Sequence, residues 1–133
     1  MIRLIDMFEL GLYATIAPWV MLIVSKVWQY PAVLEEIIKM LILRAPLGGQ
    51  GELRVGWVRG LVVGLAFGLS EAVLYTIPVW SSGDWSVMVA RLAMTVPMHM
   101  IGGIVIGVAV ERRIAIVGLV VAMLMHGLFN SLI

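Results

Sequence analysis

The sequence predicts an all-α, polytopic transmembrane helical bundle, and two features of its composition carry that prediction. Of its 133 residues, 62% are hydrophobic, and the mean hydropathy is +1.09. Only 13% are charged, which is about half the roughly 25% of an ordinary soluble domain. So few polar side chains cannot coat a soluble surface. We therefore expect residues 1–133 to form a single integral membrane domain.

Five apolar segments, separated by short polar connectors, predict five helices. They cover approximately residues 8–28, 31–44, 58–80, 90–110 and 114–132. A spanning helix needs about 20 residues, and the last three segments meet that length. The first meets it with its flanks included, whereas segment 31–44 is short and carries charges.

The distribution of basic residues predicts the orientation of the bundle. Five traversals leave Lys26 and Arg91 on one face. The other face collects six arginines, namely Arg3, Arg44, Arg54, Arg59, Arg112 and Arg113. Because cytoplasmic loops are enriched in Lys and Arg, we expect the N-terminus to be cytoplasmic in a multi-pass protein of the cell membrane.

Charge and cysteine content exclude several functions. The net charge of +1 provides no basic field for nucleic acid, so we expect no nucleic-acid partner. The chain has no cysteine, which excludes disulfides, cysteine-ligated zinc and a cysteine nucleophile. The lipid bilayer and membrane-embedded molecules are the partners that remain.

A few ionisable residues lie inside the apolar segments, where they are costly and indicate function. They are Glu35, Glu36, Lys39, Glu71, His99 and His126. At 1.5 Å per helical residue, four of them lie about 12 to 18 Å from the arginine-rich face, on four different helices. The sequence therefore predicts one polar layer across the bundle.

Residue spacing adds detail to this layer. Glu35 and Lys39 are four residues apart, which favours an ion pair between them. His126 and Asn130 share a helix face for the same reason. The carboxylates left unpaired then need a metal cation or a protonated histidine, or must bind a proton themselves. Two histidines and a carboxylate can hold zinc with one open position, and a carboxylate near water can act as a general base.

Small residues predict which helices lie closest together. Gly60, Gly64 and Gly68 form one stripe, and Gly103 and Gly107 form another. Such stripes let helix backbones approach closely in membranes. We expect them to draw the polar groups of neighbouring helices together.

Four motifs follow one another along the chain. They are E-E-x-x-K at 35–39, G-x-x-F-(G/A)-x-x-E at 64–71, an Arg91 and His99 pair on one helix, and H-x-x-x-N at 126–130. This ordered set, covering about residues 31–131, resembles the PrsW-like branch of the CAAX-protease-like family of intramembrane proteases. Two positions depart from relatives. PrsW-like sequences often have Asn where this chain has Ala72, and the prenyl-protein branch has Arg where this chain has Met40. A membrane-protein substrate is therefore expected over a prenylated one.

The resemblance implies a membrane-embedded protease, of either the glutamate type or the zinc metalloprotease type. One of Glu35 and Glu36 would deprotonate a water held by His99 and His126, directly or through a metal. The Glu and His ligand set allows zinc without requiring it.

The remaining roles also follow from the resemblance. Asn130 and a histidine would stabilise the oxyanion, while Lys39 and Arg91 would keep the carboxylates charged. Glu71 would be a metal ligand or a second polarising acid. The metal ligands would come from Glu36, Glu71, His99 and His126.

Two other functions fit a polar layer in a membrane bundle. A proton or ion pathway would need polar residues that continue to both faces. A non-catalytic scaffold protein would use the cluster to hold its helices together. Its bundle should unfold when Glu36 or His126 is replaced.

Overall fold

The computed structural model describes residues 4–24, 26, 28–45 and 55–132, which form five helices and no strand. In chain order these are α1 (Leu4–Val24), α2 (Pro31–Arg44), α3 (Gly56–Ser82), α4 (Trp85–Glu111) and α5 (Ala115–Leu132). The predicted all-α class is confirmed. Arg3 and Arg54, two of the six arginines assigned to one face, lie outside the described residues.

Four of these helices, α1, α3, α4 and α5, are long and apolar enough to cross a membrane. Helix α2 has 14 residues, so its axis is about 21 Å long and falls short of the roughly 30 Å hydrocarbon core. Its bounds agree with the predicted segment, because Pro31 provides a favourable first turn and Arg44 ends the apolar run. The chain is thus a membrane protein with four full-length spans and one short helix.

Helices α3 and α4 are longer than the sequence predicts, because both continue into the polar connector between them. Gly83 ends α3 in the left-handed conformation, with φ of 73°. The side chain of Asp84 then caps α4 by accepting a hydrogen bond from the backbone N–H of Ser86 at 3.1 Å. The connector is therefore a tight turn between two spans.

Helices α3 and α4 are antiparallel, and their backbones touch along the glycines. A Cβ added at Gly60 would lie 2.1 Å from the carbonyl oxygen of Gly103, and one at Gly64 would lie 2.2 Å from that of His99. Side-chain carbons cannot come so close to a carbonyl, so only glycine fits at these contacts. The close approach expected from the stripes is confirmed.

Contacts between the other helices show that the chain alternates in direction. Helix α1 runs parallel to α3, since the hydroxyl of Ser70 donates to the carbonyl of Thr15 and Gly11 faces Val62. Helix α2 ends beside the α4–α5 turn, where Arg44 and Arg113 line one cleft.

Four described arginines consequently lie at one end of the bundle, which we call the arginine-rich end. They are Arg44, Arg59, Arg112 and Arg113. That this end faces the cytoplasm stays a prediction.

We expect Gly60→Ala to lower the free energy of unfolding by about 1–3 kcal/mol, as overpacking does in a tight core. The new methyl group would meet the backbone of Gly103 and separate α3 from α4. Denaturation of the detergent-solubilised protein by a graded series of SDS measures the change.

Gly11→Ala is the matched control, because its new methyl group would meet only the Val62 side chain, at 3.8 Å. It should leave stability unchanged or raise it slightly through helix propensity. Equal losses from both substitutions would contradict the backbone contact.

Candidate active site

The ammonium group of Lys39 lies at the centre of the polar layer. Its Nζ is 2.6 Å from Oε1 of Glu36 and 2.8 Å from Nδ1 of His99. It also lies 4.9 Å from the centroid of the Phe67 ring. The side chains of Lys39 and Glu36 are fully buried. A buried charge of this kind is tolerated only when its partners are within hydrogen-bond distance.

His99 is fixed from both sides of its ring. A charged ammonium group only donates, so Nδ1 of His99 accepts from Lys39 and Nε2 carries the ring proton. That Nε2 contacts Oε2 of Glu71, while the hydroxyl of Tyr75 donates to the other oxygen, Oε1, at 3.1 Å. Both oxygens of Glu71 therefore have donors.

His126 faces the two neighbouring glutamates of α2. Its Nδ1 is 2.8 Å from Oε1 of Glu36, and its Nε2 is 3.7 Å from Oε2 of Glu35. The rings of His126 and His99 meet edge to face with centroids 5.1 Å apart. One set of contacts thus joins groups from α2, α3, α4 and α5.

The expected ion pair between Glu35 and Lys39 is wrong, because the ammonium group of Lys39 contacts Glu36 instead. Residues three apart share a helix face as residues four apart do, so spacing alone does not choose between them. Packing rotates α2 so that Glu36 points into the bundle. Glu35 instead lines a cavity.

That cavity has a volume of about 220 Å³. Its polar wall contains Glu35, Glu71 and His126, together with Arg91 and Asn130. Apolar side chains from all five helices complete the lining, among them Met21, Leu22, Pro31, Leu74, Met98 and Phe129. The fully buried Glu36, Lys39 and His99 lie behind this wall. The site is therefore divided into a buried half and a half that faces the cavity.

Arg91 contacts the site indirectly, by stacking on the aromatic ring of Tyr75. Its guanidinium carbon lies 4.3 Å from the centroid of Tyr75, whose hydroxyl group contacts Glu71. Stacking of this kind is favourable for a planar cation. Tyr75 therefore connects Arg91 to the carboxylate.

Comparison with known protein families identifies the family of the chain. The family model described as PrsW family intramembrane metalloprotease matches residues 7–133. The chain belongs to the PrsW family. No curated protein and no solved structure gives a significant match.

Membership of the PrsW family makes the chain an intramembrane protease, in agreement with its four helices of spanning length. The resemblance to PrsW-like proteins is thereby confirmed. The wider CAAX-protease-like grouping stays a prediction. The residues that carry the activity in this PrsW protein also stay predictions, although the structure brings the candidates together.

The sequence candidates occupy distinct places in the site. Glu35, Glu36, Glu71, His99 and His126 form the contacts described above, and Asn130 lies on the cavity wall. The sequence motifs do not include Tyr75, which the structure places in contact with Glu71. Its position four residues after Glu71 was the available signal, because that spacing places both on one helix face.

The residues present fit a divalent metal ion. Glu35, His99 and His126 each offer a ligand atom, and these atoms lie within 4.8 Å of one another. Both ring nitrogens of His99 have partners, Lys39 and Glu71, so an ion bound by His99 would replace one of these contacts. Two histidine nitrogens and one carboxylate oxygen, with a fourth position left open, are typical ligands of catalytic zinc. Within the described ranges, Oε2 of Glu35 and Oε2 of Glu36 are buried without a hydrogen-bond partner.

Local charge supports the same fit. Three glutamates face this region, and the described residues place a single ammonium group in direct contact with it. The group with the ion-binding geometry contains Glu35, whereas the sequence prediction took its carboxylates from Glu36 and Glu71. Glu36 and Glu71 each have an oxygen that accepts a hydrogen bond from a neighbouring side chain.

We expect Lys39→Met to lower the free energy of unfolding by about 3–5 kcal/mol, because it leaves the buried carboxylate of Glu36 without its cation. Adding Glu36→Leu should recover much of that loss by removing the stranded charge. SDS denaturation of the single and double variants measures both effects.

Lys26→Met is the control, because Lys26 is exposed outside the helices and should change stability by less than about 0.5 kcal/mol. A similar effect of the Lys26 and Lys39 substitutions would argue against the buried ion pair.

Proposed function

We propose that this PrsW protein of the cell membrane is an endopeptidase that hydrolyses peptide bonds of membrane-protein substrates, with Glu35 as the group that activates water. The observation that carries the proposal is the unpartnered Oε2 of Glu35 beside His126 in the cavity wall. A general base must lie within hydrogen-bond reach of the water it deprotonates. Glu35 lines the cavity, and this position supports its assignment as the base.

Glu36 is a poorer candidate for the base. One of its oxygens accepts from Lys39 and lies 2.8 Å from His126, and its side chain does not reach the cavity surface. Its proposed role is to position His126 and Lys39. Glu71 is engaged in a similar way by His99 and Tyr75.

The proposed reaction needs groups that stabilise the oxyanion and protonate the leaving amine. Asn130 and His126 share the cavity, and the Asn130 amide can donate to a developing oxyanion, an effect typically of about 3–4 kcal/mol per donor. Nε2 of His126 lies on the Glu35 side of the ring. It can receive the proton taken up by Glu35 and pass it to the amine.

Glu35, His99 and His126 would hold the metal that the family description implies. A bound divalent cation would polarise the scissile carbonyl and lower the pKa of water. Proton transfer by Glu35 and His126 applies when no ion is bound, because a group that ligates the ion is no longer free to take up a proton. The roles of the other residues are the same in both cases. Glu36 orients His126, Lys39 orients His99, and the apolar wall limits the water that enters.

The size of the cavity indicates the form of the substrate. A volume of about 220 Å³ is too small for a helix, whose diameter with side chains is about 10–12 Å. The bound segment must therefore be extended at the scissile bond. The apolar side chains of Met21, Leu22 and Phe129 on the wall suit a segment drawn from the membrane.

The described residues give no support to a proton or ion pathway. On the arginine-rich side of the polar layer, Leu43, Val63 and Ile106 are all essentially inaccessible to solvent. A pathway would require polar groups at that level. In the described part of the chain, the polar layer instead lines a cavity that also contains Pro31 and Asn130.

We expect Glu35→Gln to slow cleavage of a membrane-inserted peptide by about 10²–10⁴-fold, the usual contribution of a general base. Unfolding should be little affected, because Glu35 lies outside the Lys39 ion pair. Cleavage is followed by mass spectrometry of the products, and folding by SDS denaturation.

Glu9→Gln on α1 is the matched control and should cleave normally. A folded Glu35→Gln protein with the wild-type rate would remove Glu35 as the base. Unfolding of that variant would favour the scaffold function instead.

We expect purified protein to contain zinc or another divalent ion in about equimolar amount, and His126→Ala to lose it. A chelator should then abolish cleavage, and added zinc should restore it. Elemental analysis and the cleavage assay measure the two effects. Full activity in metal-free protein would assign the glutamate-type reaction to this chain.

A further inference from the structure

A second cleft lies at the arginine-rich end, between the end of α2 and the α4–α5 turn. Its volume is about 350 Å³. Arg44 and Arg113 line it, together with a set of apolar residues, Val110, Ile114, Ala115, Ile116 and Val117. The buried side chains of Leu43 and Ile106 separate this level of the bundle from the polar layer. The cleft is therefore distinct from the active site.

The two arginines present positive charge at a membrane interface. Arg113 belongs to the short turn between two helices of spanning length, and such turns lie at the level of lipid headgroups. Both side chains are exposed, and neither forms an ion pair with a carboxylate in the part of the chain that the structure describes. A guanidinium group matches a phosphate through two parallel hydrogen bonds.

The backbone of Arg113 has a conformation that is unusual for a residue with a side chain. Its φ is 62°, in the left-handed region, and it is the one residue other than glycine with positive φ among those described. Glycine adopts this conformation without the steric cost that a Cβ brings. The conformation belongs to the end of α4, where the N–H of Ile114 donates to the carbonyl of Ala109 and the N–H of Arg113 donates to that of Val110. Arginine at this position, where glycine is usual, places a cationic side chain beside the cleft.

The first turn of α5 supplies the other half of the cleft. Ile114, Ile116 and Val117 are about half exposed or more and lie directly beside the arginines. A charged rim above an apolar wall has the chemistry of a phospholipid, whose phosphate is joined to acyl chains. Basic pockets between membrane helices are known to bind acidic headgroups.

We propose that this cleft binds an anionic phospholipid. Its phosphate contacts Arg44 and Arg113, and its acyl chain lies along the first turn of α5. The bound lipid joins the end of α2 to the α4–α5 hairpin. Because α2 carries Glu35, Glu36 and Lys39 while α4 and α5 carry the histidines, the lipid stabilises the packing on which the site depends.

The experiment compares phosphatidylglycerol with phosphatidylcholine as probes for the purified full-length protein. Native mass spectrometry measures retained lipid, and the thermal unfolding midpoint measures stabilisation. We expect phosphatidylglycerol to bind preferentially and to raise the midpoint. Arg44→Gln and Arg113→Gln should each weaken its binding by about fivefold, whereas Arg44→Lys should retain most of it.

Arg112→Gln is the control, because it removes the same charge from an exposed neighbour that does not line the cleft. It should bind phosphatidylglycerol as the wild type does. Arg113→Gly distinguishes the effect of the side chain from that of the turn. Glycine adopts the left-handed conformation without steric cost, and the substitution removes the guanidinium group. It should fold at least as well as the wild type and lose the preference for phosphatidylglycerol.

Three results would overturn the proposal. Arg112→Gln could weaken binding as much as Arg44→Gln, which would show a diffuse charge effect. Arg113→Gly could keep the full preference for phosphatidylglycerol. Inorganic phosphate alone could produce the same stabilisation, which would show an anion site with no part for the acyl chain.

Discussion

The ion pair between Lys39 and Glu36 is the interaction on which the site depends. The ammonium group takes part in contacts with α2, α3 and α4 through Glu36, Phe67 and His99. Charges so completely buried persist only while every partner stays in place. The glycine contacts between α3 and α4 help to keep Phe67 and His99 in place, because they set how closely the two backbones approach.

Burial divides the ionisable groups into two sets. Glu36, Lys39 and His99 lie inside, where they contact neighbouring side chains and no solvent. Glu35, Glu71 and His126 face the cavity, where a substrate and water can reach them. A protein with so few charges keeps both groups in one layer. An intramembrane protease can thus confine polarity to a small volume and leave the rest of the bundle apolar.

Much of this arrangement could be predicted from the sequence. The rise of a helix is constant, so depths counted from Arg44 or Gly60 correctly placed the glutamates and histidines in one layer. The rotation of a helix about its axis is set by packing, and spacing could not choose between Glu35 and Glu36 as the partner of Lys39. Similarly, the spacing of Tyr75 and Glu71 could have predicted their hydrogen bond. The stacking of Arg91 on Tyr75 could not be predicted in this way, because it depends on how α3 packs against α4.

The short length of α2 has a consequence for the surrounding bilayer. A helix of 14 residues is shorter than the hydrocarbon thickness, and such hydrophobic mismatch is relieved by local thinning of the lipid. The thinning would occur beside Pro31, which lines the cavity. Hydrolysis consumes water, which is scarce in hydrocarbon. A deformed bilayer at this point would bring the aqueous phase closer to Glu35 without opening a channel through the bundle.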